Sequence, residues 1–537
     1  VNNLAATDQM LDSPTNNFAT WNGVDPTSST ESEGNLKTLV TTTGATTSTI
    51  GMSTGKWYAE IYFASGTYGR IGICNESGVD SDLGGSANGW CKINNSARIY
   101  NNGSVSSYGA HMDATEIVMV AFDANTGKIW YGVDGTWDNS SNPTSSSTQA
   151  HTATGTDFFF AVASGSGALT YVANFGQDSS FAGNKTAQGN ADDNGYGDFY
   201  YTPPTDFLAL CTQNLPEPTV VPSEHFNTVL YTGNGTNNRA ITGVGFAPDF
   251  SWLKSRPANS GHNLSDSVRG DNKTLQSHTT NAEGTLNTIL SLDSDGFTVG
   301  TGNGYDVNKN GESIVAWNWK ANGTGVSNTN GSITSTVSAN ADAGFSIVSY
   351  THTGNDETVG HGLSKAPEMV IIKGRNVSTS WYVLTTLIDG SLDYLLLEST
   401  AAKGNLGYSS PTANTFPSLQ FSNGNTAIAY CFHSVEGYSK VGSYTGNGSA
   451  DGTFVYTGFR PAYVMVKDTE NSSWPWWIHD TARNPINPST KQLSPNSSAA
   501  EYDDATYTAL DIVSNGFKWR TSEAQVNANG ETFIYIA

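Results

Sequence analysis

EIVMVAFDANTGKIWYGV, from Glu116 to Val133, is two apolar runs around a polar five-residue connection. Glu116 to Phe122 and Lys128 to Val133 suit two strands. Asp123-Ala124-Asn125-Thr126-Gly127 between them suits a type I turn closed by a residue at positive φ. Upstream, Lys56 to Phe63 alternates: Trp57, Ala59, Ile61 and Phe63 share one face, and Lys56, Tyr58, Glu60 and Tyr62 the other. Short runs of this kind, bounded by Gly, Asn, Asp and Ser, recur along the chain while helical periodicity is almost absent. The chain therefore reads as all-β.

Its 537 residues are enough for about three to four domains. The formal net charge of −23 repels nucleic-acid phosphate and an anionic membrane leaflet alike, which excludes direct duplex binding. Charged residues are only 14% of the chain, so Ser, Thr and Asn build the polar surface, while 11% aromatic content supplies packed cores. The chain is expected to be folded and rich in loops. Cys74, Cys91, Cys211 and Cys431 are too few for a disulfide scaffold and contain no CxxC pair. Cys74 could bridge to Cys91, but free thiols are the expectation. No apolar run is long enough to span a membrane. The chain starts at Val1 with no visible secretory signal, and its termini read as trimmed.

A Pro-rich stretch, Leu215-Pro216-Glu217-Pro218 to Val221-Pro222, marks a linker. Beyond it the chain repeats. Tyr231-Thr232-Gly233-Asn234-Gly235 returns as Tyr444-Thr445-Gly446-Asn447-Gly448, with Tyr350-Thr351-His352-Thr353-Gly354-Asn355 as a looser middle copy. A proline follows each tyrosine by 17 residues (Pro248, Pro367, Pro461), and a lysine follows each proline by 6 (Lys254, Lys373, Lys467). The first and third copies also share Asp266-Ser267-Val268-Arg269 with Asp480-Thr481-Ala482-Arg483, and Asn310-Gly311-Glu312 with Asn529-Gly530-Glu531. At about 100 residues each copy is large enough for its own core, so tandem domains are expected rather than a thin solenoid. The predicted boundaries are an extended segment 1–33, a sandwich 34–212, a linker 213–223, repeat 1 at 224–322, a linker 323–343, repeat 2 at 344–437 and repeat 3 at 438–537.

Catalytic patterns are thin. Gly51-Met52-Ser53-Thr54-Gly55 fits GxSxG, but the elbow needs a helix after the serine and a strand is predicted there. Asp306 to Gly311 matches half a calcium loop, yet Trp317 stands where a bidentate Glu is required. The acidic pairs Asp80/Asp82 and Asp192/Asp193 suit either solvated turns or a loop-bound calcium, and the nine histidines show no zinc spacing. No catalytic residue, metal or cofactor is expected. Trp90, after a Gly-rich stretch, and Trp137, after the turn Asp134-Gly135-Thr136, suit either interior packing or a sugar platform on loops at a sandwich rim. With Asp134 and Tyr108 they are the candidate ligand-binding residues. Trp474-Pro475-Trp476-Trp477 leads into a strand, with one ring expected to be exposed.

From about Gly34 to Leu210 the sequence resembles a SPRY domain, through Gly55-Lys56-Trp57-Tyr58-Ala59-Glu60, Val118 to Tyr131, and Asn174-Phe175-Gly176-Gln177. The stretch AFDANTGKIWYGVDGTW with Asn142-Pro143, the closing Tyr201-Thr202-Pro203-Pro204, and the opening Asp12 to Phe18 resemble SPRY-type virion proteins of tailed, often marine, phages. The repeats are similar to an uncharacterised β-rich domain that follows SPRY in such chains. The resemblance implies a SPRY-type, concanavalin-like antiparallel β-sandwich followed by three tandem related β-sandwich domains. It further implies a non-enzymatic structural or adhesive protein on the extracellular surface of a virion, a tail fibre or similar appendage. A capsid decoration protein or head fibre is the alternative, with a polysaccharide depolymerase or a bacterial adhesin further off. The expected partners are other virion proteins, a host surface glycan or protein, and further copies of the chain as a homo-oligomer, with no nucleic acid and no membrane insertion.

Overall fold

The computed structural model describes residues 16–24, 29–79, 81–94, 97–216, 220–302, 307–354, 356–419 and 421–537. Nearly all regular structure is strand, mostly antiparallel, and the chain divides into two compact units, Val1–Glu217 and Pro218–Ala537, at the predicted Pro-rich linker. Among the described residues no helix is long and apolar enough to cross a membrane.

The first unit is two facing sheets. One runs 29–32, 37–40, 169–174, 56–65, 117–123, 128–133 and 136–137 in spatial order, and the other 46–47, 158–164, 69–75, 89–93, 98–101 and 104–107. The predicted hairpin is present with Lys128 opposite Asp123, and Gly127 closes its turn at φ 71°. A Cβ there would sit 2.2 Å from the Ala153 carbonyl oxygen, so only glycine fits. Trp57, Ala59, Ile61 and Phe63 point between the sheets, against Ile71, Ile73, Phe158 and Phe160. The other face of the same strand is buried too. Tyr58 packs with Phe199 and Phe207 from the segment that follows the last long strand, and Tyr62 packs with Phe181.

One prediction for this unit needs correction. From Asn16 on, the expected separate segment belongs to the sandwich: Phe18 bridges to Cys211, Trp21 bridges to Ser48 with its side chain in the core, and 29–32 joins the sheet. Apolar side chains at 18 and 21 gain more from burial than from solvent, which draws the segment in. As expected, Cys74 and Cys91 are buried and share no disulfide, with Cys74 opposite Gly89 and Cys91 opposite Gly72, so neither faces the other across the ladder. Residues 1–15 lie outside the described residues, and with them most of the Asp12–Phe18 stretch; so do Asp80, Asp306 and Asn355.

In the second unit each repeat has a sheet of one pattern. Repeat 1 orders its strands 226–232, 313–319, 250–255, 263–266; repeat 2 orders 345–351, 426–432, 369–374, 381–385; repeat 3 orders 441–445, 532–536, 463–468, 477–480. Opening strand, closing strand, central strand and flanking strand thus recur in the same places. A small second sheet covers one face: 239–242, 296–299 and 289–293 in repeat 1, and 454–456, 516–519 and 510–513 in repeat 3. Repeat 2 keeps only 358–360 with 415–417. Residues 323–343, expected as a linker, instead hold strands 326–328 and 335–340, which extend the repeat 2 sheet beside 345–351. Ser335, Val337 and Ser338 are buried there, which a free linker would not require.

The alternation within the central strands shows how the repeats join. Leu253 packs in the core of repeat 1, Val370 and Ile372 in that of repeat 2, and Val464 and Val466 in that of repeat 3. Their neighbours point the other way, into a fourth core common to all three: Phe250 and Trp252, Met369 and Ile371, Tyr463 and Met465. The repeats are therefore not separate tandem domains. Each has its own core and all share another, which is why the runs Met369–Ile372 and Tyr463–Val466 are apolar on both faces.

Candidate functional site

The six-stranded sheet turns Trp90 inward. Its ring is 4% exposed and meets Phe158 edge-on at 6.3 Å, while its carbonyl accepts a 3.1 Å hydrogen bond from the Tyr131 hydroxyl. Tyr108 is also buried, and its hydroxyl donates to the Thr148 carbonyl at 2.9 Å. Neither can serve as a sugar platform. The Gly-rich neighbourhood of Trp90 suggested a rim loop, but the residue sits within strand 89–93, where strand alternation sets its direction.

Trp137 and Asp134 stay at the surface, together, on the hairpin that ends the nine-stranded sheet. Val133 faces Thr136, and Asp134 adopts φ 44° at the turn while its carboxylate accepts the Ile117 N–H at 2.9 Å. The Trp137 ring is half-buried, edge-on to Tyr58 at 6.3 Å. A third member escaped the sequence reading. Tyr201 lies against this turn so closely that a Cβ on Gly135 would come within 2.8 Å of its ring. Burial, and then the nearby Asp134 carboxylate, push its hydroxyl up to about 12.

Glu60 positions Tyr201. Its carboxylate accepts the Tyr200 N–H at 2.8 Å, the Tyr201 N–H at 2.7 Å, the Tyr58 hydroxyl at 3.0 Å and the Asn174 amide at 3.0 Å. Burial still lifts this carboxyl to about 7, against the pull of those four donors. The resulting patch, two half-exposed rings beside an exposed carboxylate, offers the stacking face and hydrogen-bond acceptor that a sugar ring uses. Only Tyr201's place in the closing Tyr201-Thr202-Pro203-Pro204 pointed to it in the sequence, and its contact with Glu60 spans 141 residues.

Other candidates resolve into structural parts. Gly51 to Gly55 is a bend that leads straight into strand 56–65, so no elbow helix follows Ser53. The Asn308 side chain accepts the Asn234 N–H at 3.0 Å and donates to the Thr236 carbonyl at 2.6 Å, tying two loops together. Asp192 accepts Asn194 N–H, Tyr196 N–H, Ala209 N–H and the Asn214 amide, and Asp82 pairs with Arg70. Burial lowers His151 to about 4 and His479 to about 3, leaving both neutral at pH 7. Trp476 lies in the shared core, Trp477 donates to the Gln525 side chain at 3.1 Å, and Trp474 is half-buried, so none of the three rings is exposed. Lys254, Lys373 and Lys467 are all fully buried; Lys373 donates to the Thr280 and Thr379 carbonyls, and Lys467 to that of Asp468.

Fold and patch define a two-unit all-β protein, a two-sheet sandwich followed by a body of three interlocked repeats. Residues 221–537 match the model of a family described as a domain of unknown function, DUF7483, and the chain belongs to that family. The match takes in all three repeats as one, in step with their shared core. No curated protein matches the chain. Among solved structures it is similar to the TRIM65 PSpry domain, at 11% identity over 29% of this chain and 92% of that one, with a TM-score of 0.24. It is also similar to the SPRY domain of human HERC1, at 12% identity over 31% and 96%, with a TM-score of 0.21. The stonustoxin structure matches at 17% identity and a TM-score of 0.24, over 29% of this chain and only 27% of that chain. The two-sheet sandwich rests on the strand pairings above, not on these likenesses.

Proposed function

We propose that the protein is a non-enzymatic structural and adhesive component of a bacteriophage virion, a tail fibre or similar appendage, whose sandwich unit touches the host surface. The patch of Asp134, Trp137 and Tyr201 carries this reading, because aromatic faces beside a carboxylate suit the stacking and hydroxyl groups of a surface glycan. Several copies on one particle would turn weak sites into firm attachment. A surface of hydroxyls and amides with few charges suits salty water, where exposed ion pairs are screened.

The test is gold-labelled antibody against this chain on intact particles, paired with a cell-binding assay of the purified protein. Label on the tail and at least tenfold weaker cell binding by Tyr201→Ala would support adhesion. Label over the head would replace it with capsid decoration. Cleavage of host polysaccharide by the purified chain would replace it with a depolymerase.

A further inference from the structure

The three repeats meet head to tail, and equivalent positions make equivalent contacts. Trp381 stands opposite the buried Lys373, while His262 and Trp476 come one residue beyond the last ladder pairs of their strands, Leu253 with Asn263 and Val466 with Trp477; each of the three carries a ring that donates to a carbonyl of another repeat. His262 Nε2 donates to Ser494 at 3.0 Å (repeat 1 to 3), Trp381 Nε1 to Gln276 at 2.9 Å (2 to 1), and Trp476 Nε1 to Leu396 at 3.0 Å (3 to 2). The Trp252 N–H donates to His262 Nδ1 at 2.8 Å, which leaves the ring hydrogen on Nε2. Backbone bonds follow the same cycle: Glu501 N–H to Arg256, Glu283 N–H to Arg375, Lys403 N–H to Thr469. A heterologous contact that closes after three members is a ring.

The ring is uneven. From repeat 2 to 1, the Tyr430 hydroxyl donates to Asp266 at 2.8 Å, and Arg375 and Arg269 share Glu283. From repeat 1 to 3, Trp317 Nε1 donates to Asp480 at 3.0 Å, Arg256 and Arg483 share Glu501, and the Arg483 guanidinium lies 5.6 Å over the Trp317 ring. At the third junction the corresponding residues are Ile536 with Thr385, and Thr469 with Lys403. Neither the carboxylate clamp nor the arginine pair can form there. Repeats 2 and 3 are instead joined directly through residues 433–440, whereas repeats 1 and 3 have no direct chain connection.

We propose that repeat 3 is the detachable member of the ring: its clasp on repeat 1, made by Arg256, Glu501, Arg483, Asp480 and Trp317, holds the unit shut, and release lets it swing on 433–440. Repeat 3 has a core of its own, including Val464, Phe517, Trp519 and Phe533, to remain folded when it leaves. Opening bares the aromatic face of the shared core at Trp317 and Tyr463, whose rings lie 5.8 Å apart when shut. This claim stands apart from the adhesion reading.

The test is native-state hydrogen exchange of the full chain in rising sub-denaturing urea, with Glu501→Gln and Glu283→Gln beside the parent. In the parent, the residue 501 and Lys403 amides, which donate across the two junctions of repeat 3, are expected to lose protection at lower urea than the Glu283 amide, which donates from repeat 1 to repeat 2, while strand 477–480, paired within repeat 3, stays protected. Glu501→Gln should speed exchange of the residue 501 and Lys403 amides by about tenfold while sparing that of Glu283, and Glu283→Gln should leave the residue 501 amide as it is. Loss of protection at all three junction amides at one urea concentration, loss in 477–480 together with residue 501, or the same pattern from both variants overturns the proposal. The parent measurement decides the matter even if a variant fails to fold.

Discussion

The first and third repeats are built alike, yet they treat one glutamate oppositely. In repeat 1 Glu312 accepts a 2.8 Å hydrogen bond from Ser255 and pairs with Lys309. Burial pushes its carboxyl up, but those partners win and hold it below the usual range. In repeat 3 the matching Glu531 meets Asp468 in place of the serine, with Glu470 nearby, and burial together with those two carboxylates lifts it to about 7. Glu531 and Asp468 each keep a buried oxygen with no hydrogen-bond partner. The same strands therefore carry opposite chemistry. What the repeats hold in common is side-chain direction and the buried ring and lysine positions; the carboxylate partners are free to drift.

The comparison breaks hardest at the aspartates. Asp266 and Asp480 each hold a fully buried arginine, Arg269 and Arg483, at 2.5 Å, while the middle repeat has Thr385 and no such pair. Asp480→Ala or Asp266→Ala removes the nearer carboxylate from a buried guanidinium and leaves it only Glu501 or Glu283, so each should cost about 3 kcal/mol in urea unfolding, the lower end for a broken buried pair. Thr385→Ala should cost about 1 kcal/mol or less. Equal losses at all three sites would mean that the arginine pairs add nothing the middle repeat lacks. A smaller effect tests the cross-repeat donor: Tyr430→Phe keeps the ring stacked on Phe250 at 4.4 Å but removes the hydroxyl from Asp266. It should cost about 1.5–3 kcal/mol, as a hydrogen bond to a charged group.

Much of this architecture was legible because it is local. Alternation in Lys56–Phe63 and the five-residue turn Asp123–Gly127 follow from strand and turn geometry, and the proline and lysine spacings mark where each central strand opens and where its buried cation falls. The shared core was present only as a hint, in apolar runs without alternation, because no local pattern says which surface covers the second face. Trp90 misled for a related reason: its Gly-rich flank describes the loop before the strand, not the direction of the ring. Tyr201 was out of reach, since its place depends on a glutamate in a strand far upstream.

The mildest test returns to the two glutamates. Glu531 has a folded-state pKa near 7 against an ordinary 4.5, so between those values the folded state binds more protons than the unfolded one. Stability therefore falls as pH rises from about 4.5 to about 7. Asp468→Ser rebuilds the repeat 1 arrangement by giving Glu531 a hydroxyl donor in place of a competing carboxylate. The variant should gain stability at pH 8 and little at pH 4.5, by less than about 1 kcal/mol because Glu531 is only half-buried and solvent screens part of the interaction. Glu60 titrates over the same range in the first unit, so the informative quantity is the variant-minus-parent difference at each pH. A difference independent of pH would show that Asp468 does not set the Glu531 proton, and the two repeats would then differ in packing alone.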